Sequence, residues 1–421
     1  MDYRIGVNKL LSNTFFIAIV LVLFRGQTKL IYITNELLLV LMLIFGICFF
    51  QNKVHLRNFI WKKEIILFFL WGLLSYVWST YGKAEKGYYF VFVALIVLLM
   101  SSMESEFWNK LIRCTILFSN IIAISIFIEA VSPGIFIKLV GWILAFPANA
   151  LASARMGEYT GILGGNQQAA VFLNIGIAAH IANCYANREI DKKSISYIVI
   201  YLIAIVFTNK RMLTIIPIIL LLLYYFMSGT KNKYTKFLGV AFVFFVIGYV
   251  GLSLSPEFST KILGYFSGED GTDMLSGRGA FWLGCLQMFL ERPVNGYGLA
   301  SFNGEYFART HYLFNGNPWI YHAHNIYYQI LAELGSVGLG LFILQALKII
   351  PKIYTLNRKK ETMEKEQRQI LFWSMCIVII FLVYGLTGNV LYNTEEIGWY
   401  VIGINGISYT VSSSKCKKRH K

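Results

Sequence analysis

Runs of mostly apolar residues, each about the length of a bilayer-spanning helix, recur along this chain from end to end, and that recurrence constrains the fold more than any motif does. Within a bilayer every backbone N–H and C=O must be satisfied inside the segment itself, so such runs are read as helices. They fall near 10–24, 30–50, 65–81, 87–103, 112–131, 168–186, 194–208, 212–228, 237–255, 326–347, 370–388 and 396–412. The expected fold is all-α: a polytopic membrane protein of about twelve transmembrane helices, one domain over 1–421. A further apolar stretch, 135–152, contains Pro147 between polar neighbours and is expected to be a partly buried or re-entrant segment. Composition agrees: 57% of residues are hydrophobic and only 14% charged, which excludes a soluble enzyme.

Arg4 and Lys9 precede the first run with no small-residue cleavage site after it, the pattern of a first span rather than a removed signal peptide. The six cysteines have no paired short spacing and support neither a disulfide framework nor a zinc site.

The net charge of +16 raises the question of nucleic acid. Threading the runs with the N-terminus inside puts 26 of the 38 Lys and Arg residues on cytoplasmic segments, so most of the excess is a topology signal and an anionic-lipid contact. Nucleic acid is therefore not an expected partner, and both termini are expected to be cytoplasmic. The same threading puts one long connection, 256–325, on the outer face. It carries Trp282, Trp319 and an amphipathic stretch at 278–291 ended by Pro293, and is expected to be an ordered extracytoplasmic loop holding part of the active site.

The outward cations are not required by topology, which makes them informative. Arg155 opens Arg-Met-Gly-Glu-Tyr-Thr-Gly-Ile-Leu-Gly-Gly-Asn, Lys210 and Arg211 stand between two spans joined by almost no loop, and Arg278 follows Ser276-Gly277. A single arginine at a bundle rim is commonly an interfacial snorkelling residue. Three arginine sites on one face point instead to an anionic ligand, and a guanidinium binds two phosphate oxygens at once. No acid lies within several residues of Lys210 and Arg211 to neutralise them.

Of the six histidines, His324 stands at the mouth of a predicted helix, where an imidazole can act as a base near neutral pH. A helix from Asn325 would put Gln329 and Glu333 on one side, with Gly335 and Gly338 allowing close helix approach. His322-Ala323-His324 could offer two imidazoles to a metal, but no acidic or cysteine partner stands nearby, so no metal or other cofactor is expected.

These residues carry a resemblance to the O-antigen ligase/polymerase superfamily. The pattern His-Asn-x9-Gly-x-x-Gly is met by His324, Asn325, Gly335 and Gly338. Ser276-Gly277-Arg278, followed by Trp282, Pro293 and Gly296-Tyr297-Gly298, is similar to the family's outer-loop signature, and Thr208-Asn209-Lys210-Arg211 resembles its arginine at the start of a span. Arg155 to Asn166 resembles an Arg…Gly…Asn segment, with Gly165-Asn166-Gln167 departing from the usual Asn-Pro-Asn.

The resemblance implies a GT-C-like, metal-independent, inverting glycosyl transfer on the outer face of the bacterial cytoplasmic membrane. The implied donor is an undecaprenyl-pyrophosphate-linked glycan and the acceptor a glycan hydroxyl. Arg211 and Arg278 would stabilise the pyrophosphate, His324 would deprotonate the acceptor, and Arg155, Lys210 and Asn325 would bind substrate. Implied partners are membrane lipids, a flippase and a chain-length regulator. The expected reaction is polymerisation of repeat units of O-antigen, capsule or exopolysaccharide. The alternatives are a ligase moving polysaccharide onto lipid A core or another acceptor, and, from another class, a lipid-linked oligosaccharide flippase or transporter. Against the latter, the sequence shows no matched halves.

Overall fold

The computed structural model describes residues 23–30, 62–82, 105–228, 278–311, 322–358 and 363–419, with Asn13, Phe16, Ile17, Ile19, Val20, Leu21 and Met103. Among these residues the regular structure is helical, and the β geometry amounts to one isolated bridge, Thr28 to Leu144. In chain order the helices are α1 (Lys62–Leu74), α2 (Ser105–Val131), α3 (Pro133–Val140), α4 (Pro147–Arg155), α5 (Asn166–Asn187), α6 (Lys192–Phe207), α7 (Arg211–Ser228), α8 (Arg278–Glu291), α9 (Phe302–Thr310), α10 (Ile326–Arg358), α11 (Lys365–Tyr384) and α12 (Thr394–Arg419).

Among the described residues five helices are long and apolar enough to cross a membrane: α2, α5, α7, α11 and the part of α10 from Ile326 to Pro351. The expected spans at 30–50, 87–103 and 237–255 lie almost wholly outside the described residues, as do 256–277 and 312–321 of the expected outer loop. The expected stretch at 135–152 consists of two short helices, each begun by a proline at its first turn, and neither is long enough to span.

Outward-facing side chains identify the solvent. Leu117, Ile124, Ile128 and Val131 on α2, and Ile195, Val199, Ile203 and Val206 on α6, are exposed at helical spacing. Apolar stripes of this extent belong against lipid tails. At the centre stands α5, buried on nearly all sides and rich in alanine, packed against α2, α6, α7 and α11. Small residues let these backbones approach closely: a Cβ on Gly176 would run into the Ser119 side chain. The helices α1 and α8 pack against α10.

Six polar contacts between segments far apart in the sequence fall into two sets. One joins Arg25 to Glu395, Gln167 to Glu396, Lys210 to Glu158 and Arg278 to the Thr387 carbonyl. The other joins Lys348 to Glu64 and the Arg368 guanidinium to the Ala186 carbonyl. Every pair joins segments that the alternating path puts on the same side of the membrane.

Two expected helices differ from the observed ones in ways that bear on the site. The span expected over 370–388 ends at Tyr384, which frees the following turn for the site described below. The span expected over 326–347 runs on to Arg358 and is broken at Gly335, with φ 65° and ψ −166°. The sequence pattern expects Gly335 to let a second helix approach; its neighbour is instead the turn after α8. The Ser336 and Val337 amides donate to the Pro293 and Val294 carbonyls at 2.8 and 3.3 Å, and a Cβ on Gly335 would collide with Val294. Below the break, Tyr297 and Gly298 amides donate to the Ala332 and Glu333 carbonyls at 3.0 and 2.7 Å. The two glycine motifs are thus halves of one joint.

Glu333 closes that joint. Its carboxylate, 1% exposed, accepts from the Ala300 amide (3.0 Å), the Phe302 amide (3.1 Å), Gln329 Nε2 (3.1 Å) and the Tyr392 hydroxyl. A buried carboxylate is tolerable only when hydrogen-bonded in this way, and each donor left bare would cost about 1–3 kcal/mol. Glu333→Ala is accordingly expected to destabilise the protein by about 3 kcal/mol or more. A detergent melting temperature equal to that of the natural protein would refute this.

Candidate functional site

Of the basic residues singled out in the sequence, Lys210, Arg211 and Arg278 stand at helix beginnings, as does His324. Arg211 is the first residue of α7 and Lys210 precedes it, after Asn209 turns the chain in the left-handed region at φ 57°. Arg278 is the first residue of α8. His324, also left-handed at φ 51°, and Asn325 lead into α10. Cations at helix N-termini oppose the helix dipole, whose positive end already lies there, at roughly 0.3–1 kcal/mol each. Positive charge added to positive helix ends makes a surface suited to an anion.

The fold brings three of these starts together. Half-buried His324 is pushed down to about 4, first by burial and then by the positive charges of Arg278 and Lys210. Arg278 Nη1 donates to the Thr387 carbonyl at 3.2 Å, and the Ile326 amide donates to the Gly385 carbonyl at 2.8 Å. One turn after α11 therefore holds both Arg278 and the start of the helix behind His324. Asn325 is buried and caps that helix, its Oδ1 accepting from the Tyr327 and Tyr328 amides at 3.0 and 3.2 Å. With those amides occupied, the imidazole is what α10 offers to a ligand.

The segment from Arg155 to Asn166 forms a clamped arch beside Lys210. Glu129 of α2 accepts from the Thr160 and Gly161 amides, both at 2.7 Å, and Ser125 Oγ accepts from the Ile162 amide at 2.9 Å. The Tyr159 amide donates to the Phe207 carbonyl at 3.1 Å, fixing the arch to the end of α6. The arch presents Glu158, whose Oε2 accepts from Asn166 Nδ2 at 2.5 Å and lies 3.8 Å from Lys210 Nζ. Lys210 therefore does have an acidic neighbour, brought by folding from 52 positions earlier in the chain. Arg155 ends α4 with an exposed side chain, and no hydrogen bond or ion pair among the described residues ties it to His324, Arg278 or Lys210. The Arg211 side chain is exposed at the start of α7.

Beyond the arch the polar lining continues. Gln167 Nε2 and Asn393 Nδ2 donate to the two oxygens of Glu396, at 2.7 and 2.6 Å, and neighbouring Glu395 pairs with Arg25 at 2.7 Å. His322 lies against Tyr392, the residue that also binds Glu333. Among the described residues no three His, Cys, Asp or Glu side chains converge as a metal cage.

Glu158, Gln167, Tyr392 and Glu396 carry no assigned role in the sequence reading; Glu333 is expected there beside Gln329 on one side of the helix, and Gln329 Nε2 donates to it at 3.1 Å. A signal for Glu396 is present: it opens the run 396–412, read as a membrane span, with Glu395 just before it, and a charge there is costly. Lys210 reaches Glu158, and Glu333 reaches Tyr392, from distant segments, which leaves no local trace.

Residues 196–343 match the O-antigen ligase family. That stretch contains Lys210, Arg211, Arg278, His324, Asn325 and the glycine joint. A protein of Rickettsia conorii, named provisionally as a polysaccharide ligase, is 29% identical over 127 residues. The match spans 29% of this chain and 28% of that protein's length.

Proposed function

We propose, from the premise that the chain belongs to the O-antigen ligase/polymerase superfamily, that it transfers glycan from a lipid-linked pyrophosphate donor to a glycan hydroxyl on the outer face of the bacterial cytoplasmic membrane. The observation that carries the reading is that Arg278 and Lys210, each at a helix start, bring positive charge to bear on the half-buried His324. An anion-receiving surface beside a neutral imidazole is what this chemistry needs. The excess of cations on the opposite segments supports the orientation, with both termini cytoplasmic.

In the reaction His324 takes the proton of the acceptor hydroxyl while its oxygen bonds to the anomeric carbon. The bond from that carbon to the pyrophosphate oxygen breaks, and the electron pair leaves on the carrier pyrophosphate. The attack inverts the anomeric centre. Charge on the leaving oxygen grows towards the transition state, so Arg278, Arg211 and Lys210 stabilise the transition state more than the bound donor. Arg155, exposed at the start of the arch, and Asn325, through its side-chain NH2, would contact the remainder of the substrate. No step calls for a metal.

We take the acceptor to be another lipid-linked repeat unit, which makes the protein a polymerase of O-antigen, capsule or exopolysaccharide. The ligase reading is favoured by the names of the family and of the Rickettsia relative, and it uses the same donor chemistry with a different acceptor. Deletion of the gene followed by gel analysis of surface polysaccharide separates the two. Single-repeat products are expected on the polymerase reading; full-length polymer retained on the lipid carrier would overturn it in favour of the ligase.

A further inference from the structure

The ion pair beside the catalytic candidates is looser than the buried pair in the same set of contacts. Lys210 Nζ and Glu158 Oε2 are 3.8 Å apart, beyond direct hydrogen bonding, and each side chain is 32% exposed. The buried pair Arg25–Glu395, in the same set of contacts, is tight at 2.7 Å with 8% exposure on both sides. Glu158 itself is not loose. Asn166 Nδ2 binds the same oxygen at 2.5 Å, and Glu129, Ser125 and the Phe207 carbonyl clamp its arch. A fixed carboxylate thus faces a lysine that it attracts without capturing.

We infer that Glu158 is the resident counter-ion of the donor site: it holds Lys210 while the site is empty, yields it to the donor's pyrophosphate, and takes it back as the carrier pyrophosphate leaves. This rests on the reading of the site as pyrophosphate-binding. Glu158 acts through Lys210 and is a positioning residue, touching neither the sugar nor the acceptor. A site lined by Arg211, Arg278 and Lys210 with no local anion would hold the leaving pyrophosphate as firmly as it stabilises the transition state, and turnover would then wait on release. A carboxylate at the rim competes with the pyrophosphate for one cation and weakens ground-state binding of donor and product alike.

The sign of the effect separates this role from a structural one. In Glu158→Gln an amide oxygen still accepts from Asn166, while the negative charge is gone. With the purified full-length protein in detergent, binding of undecaprenyl pyrophosphate and of inorganic pyrophosphate is measured for the natural protein, Glu158→Gln, Lys210→Gln and the double variant. Glu158→Gln is expected to bind both probes at least about threefold more tightly, with a lower KM and a lower kcat, since loss of one like charge near an anion is worth a few-fold in affinity. Lys210→Gln is expected to bind more weakly, and the double variant to match Lys210→Gln, because the counter-ion acts only through the lysine. Unchanged or weaker binding by Glu158→Gln, or a gain in affinity that persists without Lys210, overturns the inference while the reading of the site stands. Failure of the natural protein to bind either probe overturns that reading, and the inference with it.

Discussion

Arg278→Ala is expected to lower kcat by about 10²–10³-fold, the usual result of removing one donor aimed at developing negative charge. Arg278 begins α8, adds its charge to the positive end of that helix, and is held by the Thr387 carbonyl at 3.2 Å. That hydrogen bond fixes the guanidinium before substrate arrives, so little reorganisation is needed as charge builds on the leaving oxygen. Arg278→Lys keeps the charge but loses the planar fork, and is expected to fall between the natural protein and the alanine variant. The charge also bears on His324, so in Arg278→Ala the acid limb of the kcat/KM profile should move upward, towards the ordinary imidazole value near 6.5. Unchanged polymer length in cells carrying Arg278→Ala would sink the pyrophosphate role. A fall in activity without movement of the acid limb would place Arg278 away from the imidazole.

Among the described residues the helix positions were legible in the sequence, and so were the cations of the candidate site, because both follow from local rules. Twenty apolar residues must be helical in lipid, and Arg211 and Arg278 are conspicuous wherever the surrounding chain is greasy. Hidden from the sequence was every feature made by return of the chain upon itself. Glu158 reads as an ordinary loop acid until the arch carries it to Lys210. Gly335 reads as a contact for another helix, because periodicity assigns it to a continuous helix; only the docking of residues 293–298 breaks the helix there. Tyr392 carries no signal of its own, yet its hydroxyl and Glu333 tie the turn before α12 to the joint behind His324. The catalytic candidates were thus visible as charges and invisible as a geometry.

His324→Asn is expected to reduce kcat by about 10²–10⁴-fold while leaving donor binding within about threefold, as removal of a general base should. Asparagine is the informative replacement. His324 sits at φ 51°, a region asparagine tolerates and alanine enters at a cost of about 1 kcal/mol or more, so His324→Asn removes the base with little added backbone strain. Loss of donor binding together with turnover would assign the imidazole to structure instead. The pH dependence carries a second, sharper expectation. In the empty site burial, Arg278 and Lys210 push His324 down to about 4, so it is neutral and able to accept a proton at pH 7, but only weakly basic. A pyrophosphate bound against the same two cations offsets their field and raises the imidazole towards its ordinary range. The kcat/KM profile reports the free enzyme and the kcat profile the bound complex, so the acid limb of kcat should lie at higher pH than that of kcat/KM. Stability follows the same group. Because the folded imidazole titrates below its unfolded value, its contribution is complete above about pH 6.5 and is lost as pH falls towards 4, a dependence that His324→Asn should remove from the melting curve. Coincident acid limbs would mean that donor and imidazole do not share a site.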